Sequence, residues 1–297
     1  DKSACIDKGE VGIMRRKSPF RRMMAVVLVI VFAFVGFNFG KMFFGDNAES
    51  RLTEVTNIIV AGVDVDGYRT DLILFVQVNN IDKKVSVLQI PRDTKVNNKR
   101  NDKKINSAYF SGIETLKKEV ESVTGLHADF FATITFDAFK EIVDALGGVT
   151  VEVPIDMNYH DPIQGLSIEL KAGKQKLDGE HAMMFMRFRK NDDGTGYPMG
   201  DLDRNKAQKE FYSAVMKKAL SPIGILKAPF LYSAVMKNTT TDLNNAEVRE
   251  LMFDMFTIGK NNVNIYQLPG DSKYISNISY FVVSEREAKA MISENFR

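Results

Sequence analysis

Residues 57–94 read NIIVAGVDVDGYRTDLILFVQVNNIDKKVSVLQIPRDT, and their pattern decides the fold. Residues 57–63 form a short apolar run that leads into an acidic loop over 64–71. Residues 72–78 and 85–90 are β-rich runs joined by NNIDKK, a hairpin-type connection. Downstream, the pattern predicts a helix over 105–126 ending near Gly125 and a strand over 130–135. A helix over 136–146 should be closed by Gly147 and Gly148, and a strand over 149–153 should stop at Pro154. A helix over 177–186 leads to Arg187-Phe188-Arg189, and Ala207, Phe211 and Val215 mark one face of a helix over 201–220. Helices over 223–236, 245–258 and 284–296 and a strand over 263–268 complete the outline. Strands that alternate with helices in this way indicate one α/β domain around a central sheet.

The wider sequence narrows the function. With 44% hydrophobic residues and a net charge of +2, the 297-residue chain can bury a sizeable core and is not intrinsically disordered. One cysteine, Cys5, excludes a disulfide scaffold. Residues 1–22 hold seven Lys/Arg against three Asp/Glu, which leaves the rest of the chain at a net −2. A body with that balance is not a general polyanion binder, so nucleic acid is excluded as the expected partner. The first residue is not Met, which suggests that the native start lies elsewhere.

Residues 23–37 (MMAVVLVIVFAFVGF) are apolar without interruption, and the run extends to Phe44 across Lys41. A helix over 23–44 matches a hydrocarbon core of about 30 Å, with Lys41 snorkelling at the far interface. A core helix fits less well, because no polar face appears. A cleaved signal fits less well too, because no clean small-x-small site follows. Arg15, Arg16, Lys17, Arg21 and Arg22 precede the run, so residues 1–22 are expected in the cytosol and the body outside. The expected organisation is a basic tail (1–22), a signal-anchor (23–44), a polar linker (45–56) and an extracellular catalytic domain (57–297).

The chain has no Gly-x-Ser-x-Gly, Walker loop, His-Glu-x-x-His or cysteine cluster, and its three histidines lack ligand spacing. Aspartate and arginine remain. Asp64, Asp66 and Asp71 crowd a loop that follows a buried strand, where open α/β sheets place ligands, and such carboxylates suit a hard cation. An EF-hand does not fit, since positions five and twelve from Asp64 are Tyr68 and Phe75. Arg92 follows an apolar strand. Arg187 and Arg189 would share a face if extended, and Asp201, Arg204 and Gln208 share a helix face. Any one such pair reads as surface salt bridging, but together with the Asp loop the set fits a Mg²⁺–pyrophosphate site.

These residues sit in stretches that resemble the LytR-CpsA-Psr family of membrane-anchored cell-wall enzymes. The stretches are NIIVAGVD (57–64), RTDLILFVQVNNIDKKVSVLQIPRDTKV (69–96), KINSAY (104–109), FKEIVDALGGVTVEVP (139–154), DPIQGLSIELKAGKQKLDGEHAMMFMRFR (161–189) and GDLDRNKAQKEF (200–211). The resemblance implies an αβα sandwich with a central mixed sheet and an apolar cavity for a polyprenyl tail. It implies transfer of an anionic glycopolymer, such as teichoic acid or a capsule-like polysaccharide, from a polyprenyl-pyrophosphate carrier to peptidoglycan. The MurNAc 6-hydroxyl would attack the sugar-side phosphorus, polyprenyl phosphate would leave, and a phosphodiester would form. By position, Asp64 and Asp71 match metal-site aspartates, and Arg92, Arg187, Arg189 and Arg204 match pyrophosphate-clamp arginines. Arg69, Lys104, Asp201 and Gln208 match further head-group positions. Asp71, Arg92 and Asp201 are the expected catalytic residues, with either aspartate able to take the hydroxyl proton.

The chain departs from the family pattern D-x-G-R-x-x-R-Q at Asp203 and Ala207. If residue 207 borders the polar helix face, Ala207→Arg should restore a phosphate contact and tighten binding of the lipid; if it is buried beside Phe211, the same change should destabilise the fold. Two rival readings use the same residues: a membrane-anchored prenyl-pyrophosphate phosphatase with water as acceptor, and a non-catalytic envelope regulator.

Overall fold

The structure is a computed structural model that describes residues 49–63, 67–163 and 165–296, without the side chains of Asp201 and Leu202. The expected basic tail and signal-anchor, and Asp64, lie outside the described residues. Among the described residues no helix is long and apolar enough to cross a membrane.

Strands β1 (Val55–Val63), β2 (Thr70–Asn79) and β3 (Lys84–Gln89) form the antiparallel meander that the opening stretch announces. β4 (Phe130–Ile134) runs parallel to β1. β9 (Thr239–Thr241) pairs antiparallel with β4, and β10 (Val263–Gln267) pairs parallel with β3. The result is a six-stranded mixed sheet of order β10-β3-β2-β1-β4-β9. At Gly62 the β1–β2 pair leaves no room for a side chain: a β-carbon there would stand 2.8 Å from Leu72 Cβ. The register shifts between Gly62 and Val63, so that Val63 pairs with Thr70 and Asp71 is left out of the ladder.

The period-2 alternation of these strands supplies two apolar faces. On one face Ile59, Ala61, Ile73, Phe75 and Leu88 pack with Leu116 and Val120 of α1 (Ile113–Thr124) and Ala288 of α8 (Glu285–Asn295). On the other, Ile58, Val78, Val87 and Phe130 pack with Leu251 and Ile258 of α7 (Asn245–Ile258). Beside that face a further core joins α2 (Phe136–Ala145), α3 (Gly179–Arg187) and α4 (Asp201–Ala219) around Leu146, Phe185 and Phe211. The mixed α/β architecture with helices on both faces is thus present.

Three expected helices differ from the pattern, each for a local reason. The run over 105–126 is a 3₁₀ segment, Ile105–Ser111, followed by α1, because Gly112 between them adopts φ +94° and breaks the ladder. The run over 223–236 is α5 (Pro222–Leu226) and α6 (Ala228–Asn238), since Pro229 has no N–H with which to continue α5. Leu177 ends a strand rather than starting a helix. Asp178 caps α3 instead, accepting from His181 N at 2.9 Å. The region 149–177 also folds into two small antiparallel pairs, β5 (Val149–Val153) with β8 (Gly173–Leu177) and β6 (Met157–Asp161) with β7 (Leu166–Leu170). A last pair is β11 (Gly270–Ile275) with β12 (Ile278–Val283).

Candidate active site

The ends of β1, β3 and β4 and the start of β2 meet at one edge of the sheet, beside a cavity of about 710 Å³. This is the edge at which open α/β sheets hold ligands. Arg69, Asp71, Arg92, Lys104, Arg187, Arg189, Arg204 and Gln208 all line it, although they come from segments more than a hundred residues apart. Asp201 opens α4, one turn before Arg204, and its side chain is not among those described.

Arg92 leaves the end of β3 and lies in the centre of the polar part. Its Nη1 donates to Asp71 Oδ1 in a short contact, and its Nε stands 3.8 Å from Asp93 Oδ2. Lys104 Nζ holds the other Asp93 oxygen at 2.9 Å. Arg69 faces Asp102 at 3.7 Å. A buried pair secures this rim: Arg100 grips Glu119 of α1 through Nε at 3.0 Å and Nη2 at 2.6 Å and also reaches the carbonyl of Lys104. On the opposite wall Arg187 lies over the Phe136 ring at 5.2 Å, and Gln208 donates to the Met186 carbonyl at 3.2 Å.

Arg187 and Arg189 reach one cavity by a route that the sequence pattern did not give. Arg187 is the last residue of α3 and Phe188 is extended, so the chain changes conformation between them. A second recess of about 280 Å³ shares Arg92, Asp93, Arg189 and Arg204 with it and adds Tyr197 and Gly200. Burial pushes the Tyr197 hydroxyl up to about 12 and raises that of Tyr212 as well, so both stay protonated at neutral pH.

Some members were not singled out from sequence. Asp93 and Asn106 stand inside the quoted IPRD and KINSAY stretches, next to residues that were. Gln89 lies in an apolar strand, where nothing marks it. Buried polar atoms at the cavity that have no hydrogen-bond partner among the described residues include Gln89 Oε1, Arg92 Nε and Asn106 Oδ1. Each such orphan costs about 1–3 kcal/mol unless a ligand or water meets it. The two orphan oxygens and the Asp71 carboxylate are hard donors, the class that Mg²⁺ takes together with phosphate oxygens. Among the described residues no three carboxylate, His or Cys side chains cluster, and Asp64 lies outside those residues.

Away from the charged rim the lining turns apolar, with Leu72, Phe139, Leu166, Met183 and Met186. Ala207 does not face this cavity. It is 6% exposed and packs in the core with Phe211 and Phe185, so of the two placements the sequence allowed it takes the buried one.

Known proteins share this build. The LytR_cpsA_psr family model matches residues 44–297. A polyisoprenyl-teichoic acid–peptidoglycan teichoic acid transferase TagU from Oceanobacillus iheyensis is 31% identical over 252 residues, covering 81% of this chain and 75% of that protein. The transferase of the same name from Halalkalibacterium halodurans is 30% identical over 239 residues, 78% of this chain and 75% of that protein. The crystal structure of B. subtilis TagV superposes with a TM-score of 0.67 at 24% identity, covering 82% of this chain and 98% of that one, and shows the same fold. The match over nearly the whole described chain, together with the relatives' identity and coverage, means that this protein belongs to the LytR_cpsA_psr family.

Proposed function

We propose that this protein transfers an anionic glycopolymer from a polyprenyl-pyrophosphate carrier to peptidoglycan. The observation that carries the reading is one cavity with two chemistries: a rim of five arginines and Lys104, and a lining of leucines, phenylalanines and methionines. A pyrophosphate with a hydrocarbon tail has the same division. Relatives at 30–31% identity that bear the name of teichoic acid transferases support the donor and acceptor classes.

In this reading Arg92, Arg187, Arg189 and Arg204 clamp the pyrophosphate, with Arg69, Lys104 and Gln208 at its rim. Charge on the phosphoryl oxygens grows as the bond to the leaving group lengthens, and prepositioned guanidinium groups stabilise it. A sugar hydroxyl of the glycan attacks the sugar-side phosphorus, the bond to polyprenyl phosphate breaks, and a phosphodiester forms. The hydroxyl proton passes to Asp71 or Asp201. Mg²⁺, when held by Asp64 and Asp71, supplies further positive charge to the same oxygens. The apolar segment over 23–44 anchors the domain in the cell membrane, with the catalytic part outside.

The test incubates the full chain with a polyprenyl-pyrophosphate glycopolymer and peptidoglycan, and measures polymer joined to the wall and polymer released to water. Joined polymer supports the transferase, and release alone supports the phosphatase reading. Asp71→Asn and Asp201→Asn assayed in parallel separate the candidate bases. Undiminished cellular function in an Arg92→Ala, Asp71→Asn double variant would favour the regulator.

A further inference from the structure

Opposite the arginine rim, three lysines converge on the Gly147-Gly148 turn that follows α2. Lys218 Nζ donates to the carbonyl of Gly147 at 3.4 Å and, in a shorter contact, to that of Gly148. A β-carbon at Gly147 would stand 2.5 Å from Lys227 Nζ, and one at Gly148 3.0 Å from Lys176 Cε. The Lys218 ammonium is held below its usual range by burial and by the charges of Lys176 and Lys227. Among the described residues none of the three lysines is in an ion pair. Lys227 is also the elbow between α5 and α6, and beside it Ile223, Leu226 and Phe230 are 63%, 60% and 69% exposed. Three protruding apolar side chains within eight residues, flanked by unneutralised lysines, do not suit open water.

The position of this elbow matters. α2 and α4 both line the cavity near their N-terminal ends, through Phe136 and Phe139 and through Arg204, Gln208 and Tyr212, and both finish at the lysine turn. From Arg204 to Lys218 the helix rises about 21 Å. The domain is also held close to its expected anchor. Arg51 is fixed to Glu247 and to the carbonyl of Asp242, and the apolar run ends at residue 44, so the connection spans at most about 25 Å.

We propose that the α5–α6 elbow is a membrane-contact surface for an anionic phospholipid leaflet. Phe230, Leu226 and Ile223 insert at the headgroup boundary while Lys176 and Lys227 meet lipid phosphates, and Lys218 holds the Gly147-Gly148 turn between them. The arginine rim is then held away from the bilayer and toward the wall, and the apolar walls of α2 and α4 run between bilayer and rim. This orientation rests on the reading of 23–44 as the span. It does not require that transfer occurs. An acidic protein or a second copy of the chain would meet the same charges, but neither accounts for the tether length or for the direction of the two helices.

The test uses the full chain with Cys5→Ser and a single dye-labelled cysteine at exposed Ser233, one turn beyond Phe230, or at Glu114 on α1 as the control. The protein is reconstituted in phosphatidylcholine vesicles with or without phosphatidylglycerol, each carrying a headgroup-depth nitroxide lipid. Quenching at 233 but not at 114, stronger with phosphatidylglycerol and weakened by salt, supports the surface. Each lysine should contribute about fivefold in contact equilibrium. Lys227→Gln should weaken quenching by that factor, and Leu226→Glu with Phe230→Glu should abolish it with melting unchanged. Equal quenching at both sites, none at 233, or indifference to phosphatidylglycerol overturns the proposal. A dye shift in detergent that grows with protein concentration assigns the elbow to self-association and also overturns it.

Discussion

Ala207→Arg should unfold the helix core rather than strengthen the phosphate clamp. Ala207 is 6% exposed and sits between Arg204 and Gln208, which face the cavity, but its own methyl packs with Phe211 and Phe185. An arginine there adds two methylene carbons and a guanidinium to a filled core, which costs about 1–3 kcal/mol by overpacking. Its guanidinium must also lose water without an acid to receive it, and the sum is about 3–5 kcal/mol. For a domain of this size each kcal/mol lowers Tm by about 2–4 °C, so a fall of about 6–20 °C is expected. Thermal melting by circular dichroism measures it, and titration with a short prenyl pyrophosphate measures binding. Ala207→Met separates volume from charge and should cost less. An unchanged Tm with binding about tenfold tighter would refute the reasoning, because it would mean that the side chain snorkels from residue 207 into the arginine cavity.

Other expectations concern ionisable latches. Asp192, and after it Glu169, raise the His160 pKa, and His160 backbone and ring both bond Asp192, joining the β6–β7 pair to the loop that follows Arg189. A raised pKa contributes stability that is full below about pH 6.5 and lost as pH rises through the folded value. Proteolysis in that loop should therefore be faster at pH 9 than at pH 6, and His160→Gln should remove most of the difference. Glu247 is fully buried, and its hydrogen bonds from Arg51 lower its pKa to about 2. That stability is present above about pH 4.5 and lost as pH falls toward 2. Glu247→Gln should thus cost on the order of 2–3 kcal/mol at neutral pH and flatten the acid limb of a urea-melting series. A variant as stable as the parent would show that Arg51 does not hold the chain's entry to the domain.

The central meander was legible because its apolar runs have strand length, are rich in Val and Ile and carry a turn between them. α7 was legible too, and the structure shows a capping box of Asn244 and Glu247 at its start. What could not be read were short pairs whose strands are stabilised by distant partners. Residues 157–161 (MNYHD) carry almost no strand pattern, and they pair because the loop at 191–192 ties them down through Asn158 and His160. The site was legible where arginines recur at motif spacing. Gln89 and Asn106 were not, because polar residues buried at a cavity look like ordinary strand and turn residues until their unmet oxygens are seen. Ala207 stayed open between two faces, because i, i+3 spacing places it near Arg204 while i, i+4 spacing places it with Phe211, and the structure puts it in the core with Phe211.

The most direct test of the account is a crystal structure of the protein soaked with a prenyl pyrophosphate and Mg²⁺. The account expects the pyrophosphate between Arg92, Arg187, Arg189 and Arg204, the metal at Asp71, and the prenyl chain along Leu72, Phe139 and Met186. A pyrophosphate bound elsewhere, or a prenyl chain left in solvent while the arginines keep their present partners, would contradict it.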